Sequence, residues 1–266
     1  MILFLRELKR NRKYFIIWTS IMTALMLYMG LLFPTMADQT KNMTEMIKQM
    51  PEILRNMMNL DLMDFTNVVK YYASEPYVFL LLLGGVFSMI LAAGILSKEE
   101  SDKTIEFLYA KPVTRNYIVT YKLLSTLLYI ILFNVILGVV TIAIFEAVKK
   151  HDFSISLMVT LMMGALLLQL VFAAVGFVAS VFVVKAKSIL PLSIGVVIGT
   201  YILNTIAGLS DKTDWLKYLT PFKYVDAVDI VKTGRINGGY LVIMTVVIVV
   251  SIILSYVFYN RKNITV

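Results

Sequence analysis

Six runs of mostly apolar residues recur along the chain, at 14–35, 77–97, 123–145, 155–183, 189–209 and 239–259. A helix needs about 20 such residues to cross the hydrocarbon layer of a bilayer. None of the six runs contains Asp, Glu, Lys or Arg, so all 42 charged residues fall in termini or connecting segments. A water-soluble helix keeps its charges on the face opposite an apolar stripe, within the same run. The pattern therefore predicts an all-α integral membrane protein with six transmembrane helices, forming one domain over residues 1–266.

Between the runs the pattern changes to amphipathic. In residues 1–12, Ile2, Phe4, Leu5 and Leu8 are interleaved with Arg6, Lys9, Arg10 and Arg12. This predicts a short helix lying on the membrane surface, or a positive flank that only sets orientation. The segment 36–76 repeats Met43, Met46, Ile47, Met50, Ile53, Leu54, Met57 and Met58 at helical spacing, with Pro51 interrupting. Such a stripe packs against the membrane or caps the spans, and flexible methionines also suit contact with varied apolar molecules. The segment 210–238 carries Trp215, Tyr218, Pro221, Phe222 and Tyr224. Aromatic residues gather at membrane interfaces. The stretch 213–232 is too polar to span, and it can dip into a leaflet only where protein or water satisfies its backbone.

Composition sharpens this picture. The chain is 59% apolar and 16% charged, with a net charge of +8 and a mean hydropathy of +0.80. The charges sort by side. The N-terminus, segment 98–122, Lys185, Lys187 and the C-terminus hold 14 basic and 5 acidic residues, and the other side holds 11 and 12. By the positive-inside rule the basic side is cytoplasmic, with both termini inside the cell membrane. The surplus charge thus reports orientation, and nucleic acid is not among the expected partners. Thr35-Met36-Ala37 loosely resembles a signal cleavage site, but the 22-residue run before it is too long for a signal peptide core.

Several chemistries are excluded. Without cysteine there are no disulfides, thiolate nucleophiles or cysteine metal sites. The single histidine, His151, rules out a multi-histidine metal centre. Polar groups within the runs are Asn134, Gln169, Asn204 and scattered Ser and Thr, which commonly bond between helices. Gly195 and Gly199 form a GxxxG pair suited to close helix approach. Ion-driven pumps keep carboxylates or histidines in the membrane, and this chain has none there. It also lacks a GxxxxGK[ST] nucleotide loop. Uphill movement of any cargo would need energy from a partner, and 98–122 is the one long segment on the basic side able to receive it. There Ile105, Leu108 and Tyr109 share one helical face, Glu99 and Lys103 pair at i, i+4 on another, and Pro112 stops the helix. The segment reads equally as a docking helix or a solvated loop.

The run SKEESDKTIEFLYAKPVTRNYIVTYK resembles the inner-loop signature of ABC-2-type transporter permeases: an acidic pair, then threonine, glutamate and leucine, then proline and arginine. Glu99, Glu100, Thr104, Glu106, Leu108, Pro112 and Arg115 match it. Lys103 departs from it, where the family often has glycine. The stretch YLTPFKYVDAVDIV, with Pro221 and Phe222 ahead of the last run, is also similar, and the likeness extends over the full length.

The resemblance implies a bacterial exporter of the type V fold. Two six-helix permease subunits, identical or sister chains, pair around a path, and two ABC ATPase subunits bind below. Segment 98–122 would be the coupling helix, and the N-terminal amphipathic helix an elbow. Short helices between spans five and six, bearing Tyr218, Pro221, Phe222 and Tyr224, would form an outer gate. The chain itself would bind no cofactor, Mg-ATP being handled by the ATPase. The apolar spans favour an amphipathic or hydrophobic cargo: peptide, toxin, drug or lipid. An immunity or sensor subunit of the same fold is the alternative. An intramembrane enzyme fits less well. Glu99-Glu100 is similar to the paired glutamates of membrane prenyl-endopeptidase relatives, but the arginine and histidines such enzymes need are missing.

Overall fold

The computed structural model describes residues 2–38, 50–51, 54, 67–101, 113–183, 185–209 and 211–262. Its first helix, α1, is continuous from Ile2 to Asp38. The opening residues, expected as a short surface helix or a positive flank, run continuously into the first span. No glycine or proline interrupts residues 2–29, so nothing breaks the hydrogen-bond ladder. On these turns Glu7 and Asn11 are buried against neighbouring helices, while Leu5 is exposed.

The second span is built from two pieces. Helix α2 (Val68–Ala73) starts on Asn67, whose side chain accepts from the amides of Val69 and Lys70. Helix α3 (Glu75–Ala93) follows with Pro76 in its first turn, where a missing amide hydrogen does no harm. A turn at Gly94–Ser97 then leads into the short helix α4 (Lys98–Ser101).

Helix α5 (Arg115–Val148) is capped by the Thr114 hydroxyl and exceeds the expected run of 123–145 at both ends. The connecting segment expected at 98–122 is shortened accordingly. Residues 115–122 are the first two turns of α5, and Lys122 sits inside the bundle rather than in a loop. Hydropathy missed these turns because they carry Arg115, Tyr117, Tyr121 and Lys122.

Helix α6 (Ile155–Phe182) is capped by Ser154. A 3-10 turn at Ala186–Ser188 opens α7 (Ile189–Ala207). A 3-10 stretch at Asp211–Leu219 is followed by α8 (Pro221–Tyr224) and α9 (Ala227–Thr233). Gly234 ends α9 with φ of +72°, a left-handed conformation that costs glycine least. Helix α10 (Gly238–Arg261) is capped by Asn237. Among the described residues every regular element is helical, and six helices are long and apolar enough to cross a membrane.

The centre of the bundle is the α3–α6 pair, which makes the most extensive contact in the molecule. Gly176 on α6 makes this approach possible, since a Cβ there would lie 2.8 Å from the Met89 carbonyl oxygen. Phe87 of α3 stacks on Phe133 of α5 at 4.4 Å and on Tyr14 of α1 at 5.5 Å. Lipid tails are as apolar as these rings, so close packing and hydrogen bonds hold the helices together, not transfer out of water. The second span buries 72% of its most apolar window and α6 buries 61%, whereas α7 and α10 each bury 17%. Those two helices are the least enclosed of the six.

Candidate functional site

The end of the bundle holding both termini is tied together by charged groups. The carboxylate of Glu7 accepts from Arg10 at 2.9 Å and from the ammonium of Lys122 at 3.4 Å, with both Glu7 and Lys122 buried. The same ammonium donates to the carbonyl oxygen of Ile95, in the turn between α3 and α4. One turn along α1, the Asn11 amide donates to the Glu7 carbonyl at 3.1 Å, and the Asn11 side-chain oxygen accepts from Lys98 at 2.7 Å. The Tyr129 hydroxyl donates to the carbonyl of Leu8. Helices α1, α5 and the end of α3 thus meet at one buried ion pair.

A second set of contacts lies on the other side of this end. Arg115 donates to the carbonyl oxygens of Tyr259, Asn260 and Lys262 at 3.0, 2.9 and 2.8 Å. These are the free carbonyls of the α10 terminus, where a helix carries partial negative charge. Lys262 in turn donates to the Val181 carbonyl at the end of α6, at 2.7 Å. Asn116 and Asn260 bond through their side chains at 2.7 Å, and the Thr120 and Tyr256 hydroxyls share another bond at 2.7 Å. The Ser101 hydroxyl, at the end of α4, accepts from the Ala186 amide at 3.4 Å.

The residues expected to couple to an ATPase therefore divide. Arg115 opens α5 and clasps α10. Glu99 and Glu100 belong to the backbone of α4. Thr104, Glu106, Leu108 and Pro112 lie outside the described residues, as does most of the methionine-rich segment. What the structure does place is the frame at each end of 102–112. Lys98 and Ser101 hold its beginning to α1 and to the α6–α7 connection, and Arg115 holds its end to α10.

The residues expected at an outer gate also divide. Pro221, Phe222 and Tyr224 are buried, and Tyr218 is exposed. The Phe222 ring packs against Phe172 at 5.7 Å and Tyr201 at 5.3 Å. Tyr224 stacks on Tyr240 at 5.0 Å, and burial raises the pKa of its hydroxyl, which donates to the Tyr218 carbonyl. Thr220 reaches back to the Thr200 carbonyl at 2.9 Å. Three of the four residues thus pin the α8 turn onto α6, α7 and α10.

Midway along the bundle, Asn134 of α5 donates to Gln169 of α6 at 2.8 Å. Gly84 of α3 faces the same amide so closely that a Cβ there would lie 2.4 Å from Gln169 Nε2. Beside Asn134 is a cavity about the size of one water molecule, lined also by Met26, Tyr72, Leu80, Thr141 and Met162. Among the described residues the Tyr72 hydroxyl and Gln169 Nε2 are buried without a hydrogen-bond partner. Gly195 and Gly199 face open space.

Sequence reasoning missed the Glu7–Lys122 pair. Its signal was Glu7, the single acidic residue among the first 13, beside five basic ones.

A family model described as "ABC-2 family transporter protein" matches residues 2–264, nearly the whole chain. The chain belongs to that family, whose members are the membrane subunits of transporters that work with ABC ATPases. No curated protein matches it.

Proposed function

We propose that this chain is the permease subunit of an ABC exporter, moving an amphipathic or hydrophobic cargo out of the cytoplasm. The observation that carries this reading is the anchoring of the residues on either side of 102–112, Lys98 and Ser101 before it and Arg115 after it. A partner pressing on that segment would act through Lys98 on α1, through Ser101 on the α6–α7 connection, and through Arg115 on α10. These contacts reach helices on both sides of the subunit.

Energy comes from two ABC ATPase subunits that bind and hydrolyse Mg-ATP, with the coupling helix in the segment that starts at α4. The basic end faces the cytoplasm, in keeping with its excess of Lys and Arg. A second permease chain, identical or a sister, completes the path. The exposed face of α7, where Gly195 and Gly199 leave open space, suits its close approach.

The test is co-purification with the cognate ATPase, combined with the charge reversal Glu106→Lys. The reversal should lower complex yield or uncouple ATP hydrolysis from export, and leave membrane insertion intact. Glu52→Lys, the same change on the opposite side, should behave as wild type. Wild-type complex yield and export in Glu106→Lys would show that the segment does not receive the ATPase.

A further inference from the structure

The buried Glu7–Lys122 pair lies beside a break in the second span. The amide of Gly94 bonds to the Ile90 carbonyl four residues back, but that of Ile95 bonds to Ala92 only three back, and the i−4 pattern resumes at Lys98 with Gly94. One tightened turn thus separates α3 from α4. Lys122 donates to a carbonyl of that turn, Ile95, while holding Glu7 of α1. Lys98, the first residue of α4, holds Asn11, one turn beyond Glu7 on the same helix.

An ion pair is a poor choice for mere stability at such a place. Removing two charges from water is costly, and a well-packed apolar pair of equal volume is often as stable or more so. Breaking the pair by losing one partner is severely unfavourable, because a charge is left buried. Such a contact resists partial displacement. It is made, or it is replaced by another complete set of partners.

We infer that Gly94–Ser97 is a hinge for the segment beginning at α4, and that Glu7 and Lys122 are its latch. The pair holds the hinge in the conformation seen here and re-forms with different partners when the segment moves. Glu7 and Lys122 are positioning residues in this scheme. They set where α4 sits relative to α1 and convert its displacement into a two-state response of the first two spans. The inference rests on the reading that an ATPase acts on this segment.

The absence of cysteine makes the test direct. Spin labels at Lys13→Cys on α1 and Lys103→Cys beyond α4 report the separation of the two elements. The permease–ATPase complex is measured without nucleotide and after trapping with ATP and vanadate. The wild-type background should show a change in the distance distribution on trapping. Lys122→Met and Glu7→Gln should lose that change while still co-purifying with the ATPase. Lys122→Arg, which keeps the charge, should retain it. The double substitution Glu7→Leu with Lys122→Met removes both fully buried charges together and leaves Arg10, which is partly exposed, to water. It should melt within a few degrees of wild type and still lose the change, which a purely structural role would not produce. A trapping-dependent change that survives in the double variant overturns the latch. So does a wild-type complex whose label distance never responds to trapping. A wild-type chain that does not bind the ATPase at all overturns the reading beneath it.

Discussion

Arg115, at the first residue of α5, donates to the carbonyl oxygen of Tyr259 near the end of α10 at 3.0 Å, across 144 positions of sequence. With the neighbouring carbonyls of Asn260 and Lys262 it gives α10 a cationic C-terminal cap. Arg115→Ala is expected to destabilise that terminus by about 1–2 kcal/mol, from lost charge-assisted bonds and lost dipole compensation. Hydrogen exchange should rise at amides 256–262 and stay unchanged in α3. Arg115→Lys should recover only part, because the lysine ammonium reaches one bond less far than the single guanidinium nitrogen that makes all three contacts.

The glycines divide sharply by surroundings. Gly176→Ala places a methyl 2.8 Å from the backbone oxygen of Met89, which only a helix shift relieves, and should cost about 1–3 kcal/mol. Gly195→Ala meets open space and should leave the melting temperature of the isolated subunit unchanged. Gly195→Leu should lower the fraction of paired permeases in native mass spectrometry while the subunit stays folded.

Phe222 and Tyr218 give opposite expectations. Phe222→Ala empties a packed site between Phe172 and Tyr201 and should destabilise by about 3–5 kcal/mol. Tyr218→Ala, at an exposed position, should leave the thermal midpoint close to wild type. If Phe222→Ala instead melts normally and alters only transport, the residue is a gate and not an anchor.

The Asn134–Gln169 bond crosses from α5 to α6 among apolar neighbours. Asn134→Leu should cost about 0.5–2 kcal/mol, the range for interhelical polar contacts in membranes. Thermal unfolding in mild detergent measures it, and Gln169→Leu in the same background should recover part of the loss by removing the stranded amide.

Lys149 bridges Glu146 and Asp152 on the surface, at 2.8 and 2.9 Å. The hydrogen bond and charge of Lys149 lower the Asp152 pKa. A depressed carboxylate stabilises above its ordinary pKa of 3.8 and loses that contribution as pH falls through the depressed value. Stability should therefore show no dependence on this group between pH 6 and 8. Lys149→Ala should change the melting temperature negligibly, as exposed ion pairs rarely contribute measurably.

The six spans were legible because uncharged apolar runs of this length have few other uses. Their ends were less so. Lys122 and Arg115 look like flanking positive charges when only hydropathy is read, yet one is buried against Glu7 and the other caps α10. That information lies in residues more than 100 positions away. The glycines show the same limit, since the spacing of Gly195 and Gly199 advertises close packing, whereas the tight contacts fall at Gly30, Gly84, Gly164 and Gly176. The residues expected at an outer gate were recognisable as a cluster. The inward packing of Phe222 and Tyr224 depends on Phe172, Tyr201 and Tyr240, which periodicity assigned to unremarkable span positions.

The lengths of the helices have a consequence for the surrounding lipid. Helix α1 has 37 residues and α5 has 34, giving rods of about 55 and 50 Å at 1.5 Å per residue. They are fastened to each other near both ends, by Glu7 with Lys122 and by Asp38 with Lys150. Helix α7 has 19 residues, about 28 Å, hardly the thickness of the hydrocarbon itself. A thicker or thinner bilayer leaves the doubled strut upright, since its ends already stand clear of the acyl chains. The mismatch falls on α7, which has no excess length to absorb it and little of its own chain around it. Acyl-chain length should therefore tune this transporter through the tilt of one short helix, the one whose exposed face suits a second permease.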